Sequence, residues 1–320
     1  MHSQRFLSPL GSTFVIALTL LGFTFLAPWS QAQLVVDLTL DKKTYVAYEP
    51  IKIQVRVSNR AGRDIVLGGP AGASWLNFDV GTDDGKPILP SGVTPFAAST
   101  VLPSGKSVTR HISLGKSYPL GRPRNYRVKA NVYFSGTQKF ISSRTRIFYV
   151  IEANRVWEQT VGIPKGEPGG GGYRRYQLLK TRDAKRTQLY VRVSDIQTKK
   201  VLATYSLGRF IEVVNPQVTT DGKNRMHVLF LGAPHTYSHK TINYDGQTLT
   251  ADIYRDEAGT PQLMESSDGS VSVKGGLPFD PSAPNPAVPG TRESLESRKS
   301  IRRLSERPEG LPYIPPVERD

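Results

Sequence analysis

The imidazoles are the first groups in this chain that could do chemistry. His227, His235 and His239 fall close together, which is the composition of a metal site. Strand geometry argues against one. If Gly232-Ala-Pro234 forms a three-residue hairpin loop, His227 lies opposite His239, and His235 shares their face. His235 and His239 are then about 13 Å apart at the rise of a β-strand, whereas one metal ion holds its ligands at about 2 Å. A four-residue loop sends His227 to the other face. The three read as polar strand and loop residues, as does His111, and no metal or cofactor is expected.

Hydrolytic constellations fare no better. There is no Gly-x-Ser-x-Gly elbow and no cysteine. Asp79, Asp83 and Asp84 cluster, but Asp84-Gly85 is a hairpin turn signal, and the spaced ligands of a calcium loop are absent. Asp252, Asp256 and Glu257 have no spacing that sets two carboxylates across a cleft. Gly169 to Gly172 precede Tyr173-Arg174-Arg175-Tyr176 with neither a following helix nor a P-loop lysine. That run reads as a loop, with Tyr173, Arg174, Arg175 and Tyr176 as possible contacts to a sugar or an anion. No catalytic residue is assigned, and the expectation is a protein that is not an enzyme.

Charge carries the sharper signal. The sequence has 42 Lys and Arg against 27 Asp and Glu. No acid occurs between Gly85 and Ile151, a span that holds 11 Lys and Arg. Arg127 and Lys129 recur with period two, as do Arg144 and Arg146. Folding that hairpin about Gly136-Thr137 sets Arg127 against Arg146 and Lys129 against Arg144. Opposed like charges disfavour strand pairing, so a face that keeps four of them is a candidate anion-binding surface.

The elements that must position these residues are strands. Leu34, Val36, Leu38 and Leu40 alternate with polar or exposed positions. So do Ile51, Ile53, Val55 and Val57, then Leu76, Phe78 and Val80, then Tyr126, Val128, Ala130, Val132 and Phe134. Period two means one face inside and one in water. Asn59-Arg-Ala-Gly62, Asp83-Asp-Gly85, Pro103-Ser-Gly105 and Ser135-Gly136 supply the turns. About seven strands over 33–152 is the density of an immunoglobulin-like sandwich. Leu38 to Tyr45, Tyr48-Glu-Pro-Ile51 and the alternating valines up to Asn59 resemble the opening of exported bacterial Ig-like modules of the macroglobulin and protease-inhibitor types. Those modules usually have glycine where this chain has Tyr48. The resemblance covers about a third of the chain and implies a fold, with no chemistry. Tyr126 is a candidate for the corner tyrosine of such sandwiches.

Residues 153–276 read as a second β-rich domain. Asp-Gly turns at 221–222, 245–246 and 268–269 resemble the hairpin repeat of β-propeller blades. The segment is too short for a propeller, so a second sandwich or a partial-propeller-like sheet is expected. From Leu277 to Asp320 prolines punctuate the chain, predicting a largely disordered tail with one possible short helix at 291–307.

Residues 1–32 carry Arg5, an apolar run from Thr13 to Leu26, and Ser30-Gln-Ala32 in the pattern of a cleaved signal peptide. The apolar run is shorter than the ~20 residues of a membrane-spanning helix. With no cysteine and no Asn-x-Ser/Thr acceptor, the chain reads as an exported bacterial protein, periplasmic or extracellular. The function expected is non-catalytic binding at the cell envelope. The partner would be an anionic glycan, a phosphate-bearing lipid or an acidic protein; intracellular nucleic acid is excluded by export. The alternatives are a structural or docking subunit of an envelope assembly, and an envelope hydrolase.

Overall fold

The computed structural model describes residues 34–281, apart from 71–72, 92–97, 168 and 184–185. The expected signal peptide and the possible helix at 291–307 lie outside the described residues. The chain is all-β, and no helix among the described residues is long and apolar enough to cross a membrane.

Among the described residues the first unit holds ten strands: β1 (Leu34–Leu40), β2 (Thr44–Val46), β3 (Lys52–Asn59), β4 (Ile65–Leu67), β5 (Leu76–Thr82), β6 (Thr100–Leu102), β7 (Ser107–Ser113), β8 (Arg124–Phe134), β9 (Lys139–Ser142) and β10 (Arg146–Ile151). One sheet has the order β1-β3-β7; the other runs β2-β10-β8-β5, with β9 paired to β8. The period-two residues of both sheets meet in one core around Trp75, Tyr126 and Phe148. Tyr126 stacks on Phe148 at 5.3 Å, and its hydroxyl donates to the Arg122 carbonyl at 2.8 Å. That is the corner geometry expected of Tyr126.

The second unit is two antiparallel meanders. The first comprises β11 (Asn154–Gly162), β12 (Tyr173–Arg182), β13 (Thr187–Asp195) and β14 (Val201–Phe210). The second comprises β15 (Gln217–Thr220), β16 (Met226–Ala233), β17 (Thr236–Ile242) and β18 (Thr248–Arg255). Tyr176, Leu178, Leu189 and Val191 of the first sheet pack with Met226, Val228 and Phe230 of the second. The hairpin β19 (Gln262–Glu265) and β20 (Val271–Lys274) covers the opposite face of the second sheet, where Leu263 and Val273 meet Leu229, Leu231 and Tyr237. Two of the three Asp-Gly turns touch, through Gly222 N–H donating to Gly269 O at 2.7 Å. The last strand, β21 (Leu277–Pro278), pairs with Tyr254 and Arg255. The Phe279 amide donates to Ile253 O, and Arg255 lies 3.9 Å over the Phe279 ring. Ordered sheet therefore extends past Leu277, where the tail was expected to begin.

Only Glu152 and Ala153 separate β10 from β11. Val46, Ala153, Leu179 and Tyr190 form a small core across the junction. Arg192 is buried there: it donates to Ala47 O at 2.8 Å and pairs with Glu152 at 3.2 Å. It also sits 5.3 Å from the Tyr48 ring. Tyr48 has φ +67°, the left-handed conformation that a β-carbon disfavours by about 1–2 kcal/mol. Glycine adopts this conformation without that cost. Here the tyrosine ring is the platform for Arg192.

Candidate functional site

The four basic residues of the first unit do not share a face. Strand β9 keeps the expected register, with Phe134 opposite Lys139 and Asn131 opposite Ser142. Ser143 then breaks it: its amide donates to Ala130 O, and its hydroxyl accepts from the Ala130 amide. The register of β10 on β8 has slipped by one residue, so Arg127 lies opposite Ile147 and Arg146 lies opposite the buried Val128. A slip of one residue turns a side chain to the other side of the sheet. Arg146 therefore reaches the opposite sheet, and its Nε donates to Leu38 O at 2.9 Å. It caps an edge-strand carbonyl. Arg144 falls in the irregular link between the two strands and is exposed.

Arg127 and Lys129 keep the outward face. Lys129 lies opposite Asp79 and pairs with it at 3.2 Å, so a carboxylate from outside the acid-free span answers it. Arg127 donates to Gly85 O at 3.2 Å. Both line a hollow of about 330 Å³ with Asp79 and the loop Pro87 to Pro90.

The same outward face carries a feature that charge counting missed. The outward positions of β10 are Ile147, Tyr149 and Ile151, at 54%, 42% and 36% exposure. Phe140 is also exposed and packs edge-on against Tyr133, 5.3 Å away. The water-facing side of an antiparallel sheet is ordinarily polar. The alternation of Phe148 and Val150 with Ile147, Tyr149 and Ile151 was the available signal: an apolar run on both faces, read as one strand. Ile151 also lines a cleft of about 320 Å³ at the junction, together with Lys42, Lys43, Arg182, Asp183 and Arg186. Lys42 is held by Glu49 at 2.6 Å, and Arg182 lies 3.9 Å from Glu212. Among the described residues, Lys43 and Arg186 are in no ion pair.

The run after the glycine loop divides by strand parity. Tyr173 and Arg175 face outward, and Arg175 lies 3.6 Å from Glu158. Arg174 and Tyr176 are buried. Arg174 pairs with Asp195 at 2.5 Å, and the Tyr176 hydroxyl donates to Asn224 O. Neither of these two is placed to touch a ligand.

The histidines also depart from the expected hairpin. The turn is at Pro234-His235, with Ala233 opposite Thr236 and a bulge at Gly232. His239 therefore faces Leu229, and His227 faces Thr241. His227 and His239 are still on one face, as diagonal neighbours whose rings stack at 5.3 Å, with His227 Nδ1 3.1 Å from His239 Nε2. His235 is exposed in the turn beside Asp256. Among the described residues, no group of three or more His, Asp or Glu side chains has a metal-site arrangement.

No family model matches the chain, and no curated protein matches it. Solved structures give distant likenesses. The sporulation control protein Spo0M from Bacillus subtilis is 10% identical, over 55% of this chain and 91% of its own, with a TM-score of 0.25. The periplasmic chaperone SfaE is 16% identical, over 68% and 97%, with a TM-score of 0.22. Overlaps this small assign the chain no role.

Proposed function

We propose that the chain is an exported, non-catalytic docking protein of the bacterial cell envelope, whose outer β10 face receives an acidic protein partner. The observation that carries this is the exposed apolar row Ile147, Tyr149 and Ile151. Contiguous apolar surface of this kind marks interaction sites. Arg127 borders the row on one side, and the cations of the junction cleft, Lys43 and Arg186, border it on the other. An apolar centre with a basic rim fits a partner whose contact surface is apolar with carboxylates around it. The burial of Arg192 joins the two units and fixes the cleft against the row. A purely anionic polymer is less well matched, because Asp79 neutralises Lys129 and Arg146, on the other side of the sheet, is engaged by Leu38 O.

The test is capture from envelope extract on the immobilised chain, at low and high salt. Ile147→Asp with Tyr149→Asp should abolish capture of the retained protein without lowering the melting temperature. Arg127→Glu should weaken capture mainly at low salt. Retention that vanishes at high salt but ignores the Ile147 and Tyr149 changes would instead identify an anionic polymer. Equal capture by wild type and the double variant would end the docking reading.

A further inference from the structure

The second unit holds a chain of four titratable side chains, of which Asp221, His227 and His239 are buried and Asp252 is half-exposed. Asp221, in the β15–β16 turn, is almost fully enclosed. It accepts from Arg225 Nε at 2.6 Å and from the Lys223 and Arg225 amides. Burial alone would raise its carboxyl, but these bonds and the one from His227 hold it below the usual carboxylate range. An ionised carboxylate only accepts. His227 Nε2, 3.2 Å away, must therefore carry its hydrogen. A neutral His227 then has a bare Nδ1, which takes the Nε2 hydrogen of His239 at 3.1 Å. The Thr241 hydroxyl lies 3.3 Å from the same Nδ1.

That assignment leaves His239 Nδ1 bare. The atom is buried and has no hydrogen-bond partner. It faces Asp252 Oδ2 at 3.5 Å, within ion-pair reach but not hydrogen-bonded to it. Two acceptors face each other there, and one proton at Nδ1 would turn the contact into a charge-assisted hydrogen bond. A second proton would have to sit on His227 Nδ1. It would set two N–H groups and two positive charges against each other, so the chain has room for one.

The charges that bear on the pair are Asp221 and Arg225 from the turn and Asp252 from β18. The β19–β20 hairpin, packed on the same sheet face, carries Glu265 and Lys274, both exposed, and Asp268, which accepts from the Ser270 amide of its own turn. Burial holds both imidazoles below histidine's usual range, and Asp221 and Asp252 pull in the opposite direction. The site is therefore empty of the extra proton at neutral pH and fills on acidification.

Asp252 has a second neighbourhood. Its half-exposed side lines a hollow of about 560 Å³ with Tyr254 and residues 278–281, the stretch that pairs along β18. We propose that Asp221, His227, His239 and Asp252 form a one-proton latch: acidification protonates His239 Nδ1, draws Asp252 onto it, and tightens β18 with the 278–281 segment seated on it.

The test is an NMR titration of the imidazole resonances in the full chain, with amide hydrogen exchange corrected for its intrinsic pH dependence. His239 should titrate below a free histidine, and His227 should not take up a second proton in the same range. Asp252→Asn should lower the His239 midpoint by about one pH unit, a tenfold loss of proton affinity. In wild type, exchange at the Phe279 amide and along β18 should slow as His239 titrates. In His239→Gln, which removes the titrating group, that slowing should vanish. Asp252→Asn leaving the His239 midpoint unchanged would overturn the latch. So would two imidazoles titrating independently, or Phe279 exchange that follows pH equally in His239→Gln.

Discussion

The two units bury different things. Among the described residues of the first sandwich, the enclosed polar ones are Asn59, Thr82 and Ser143, none of which titrates near neutral pH. Inside the second unit they include Arg174, Arg192, Asp221, His227 and His239. The first unit packs by apolar complementarity and carries its cations outside, where carboxylates hold Lys42, Lys86 and Lys129 and backbone carbonyls hold Arg127 and Arg146. The second holds ionisable groups in place through specific partners. Removing one partner of such a pair leaves the other unanswered, which costs more than the pair contributes. Both units have apolar cores sensitive to volume; between pH 5 and pH 7.5 the first should be indifferent to pH and the second sensitive to it.

The largest effect expected from a single change lies in the first core. Phe148→Ala removes a fully buried ring that stacks on Tyr126 and meets Tyr45 edge-on. It should cost about 3–5 kcal/mol, by the same amount at pH 5 and pH 7.5. A loss that varied with pH would break the contrast between the units. Arg192→Ala comes next. It removes charged hydrogen bonds to Ala47 O and Glu152 at the junction. Glu152 is half-exposed and can rehydrate, so the cost should be about 2–3 kcal/mol. Denaturation followed by Trp75 and Trp157 fluorescence should then separate into two transitions; one unchanged transition would mean that the units are joined by the apolar cluster alone.

Acid should act on the second unit. Both buried histidines have folded values below the unfolded one, because burial disfavours their charged forms. The unfolded chain then binds protons first as pH falls below about 6.5. Stability is intact above that pH and is lost below it, by up to about 1.4 kcal/mol per pH unit for each imidazole, until the folded histidines titrate. Chemical denaturation at several pH values should show this loss in the transition of the second unit. Its absence in wild type, or its persistence in His227→Gln with His239→Gln, would sink the assignment. The latch is a local tightening within this global loss: the proton it accepts binds the folded chain less tightly than the unfolded one.

Strand alternation made the sandwich legible because burial and period two agree along β1, β3, β5 and β8. The turn at Ser135 to Gln138 was legible from its glycine and polar residues, and β9 follows it. What could not be read was Ser143. A serine that both donates and accepts across to Ala130 shifts the register by one, and nothing in the residue type announces it. That single slip moved Arg146 to the other side of the sheet and brought Ile147 outward, which undid the four-cation face and uncovered the apolar row. The histidine pair was hidden in the same way. The bulge at Gly232 and a two-residue turn replaced the three-residue loop, changing which residues face each other while keeping both imidazoles on one side. The parity of Arg174 and Tyr176 was readable in principle, since they alternate with Tyr173 and Arg175 on one strand.

The smallest expected effect tests the residue that departs from the Ig-like pattern. Tyr48 occupies a left-handed conformation that costs a tyrosine about 1–2 kcal/mol more than a glycine. Its ring lies under Arg192 and close against Gly121, where an added Cβ would come within 2.5 Å of a ring carbon. Tyr48→Gly relieves the backbone strain. It also removes a partly exposed cation–π contact of about 0.5–1 kcal/mol and frees the unfolded chain, which costs about as much again. The terms nearly cancel, so the midpoint of denaturation should move by less than about 0.5 kcal/mol. Its effect should appear instead at the junction: Arg192 loses its platform, and cleavage by protease near Glu152-Ala153 should quicken. Gly121→Ala gives the companion measurement, pressing on the same ring from the other side without altering the strain at residue 48. If Tyr48→Gly costs more than about 2 kcal/mol, the ring is a structural pillar of the first unit. If it costs nothing and junction cleavage is also unchanged, the tyrosine does not hold Arg192, and the apolar cluster with the Ala47 and Glu152 contacts is sufficient to join the two units.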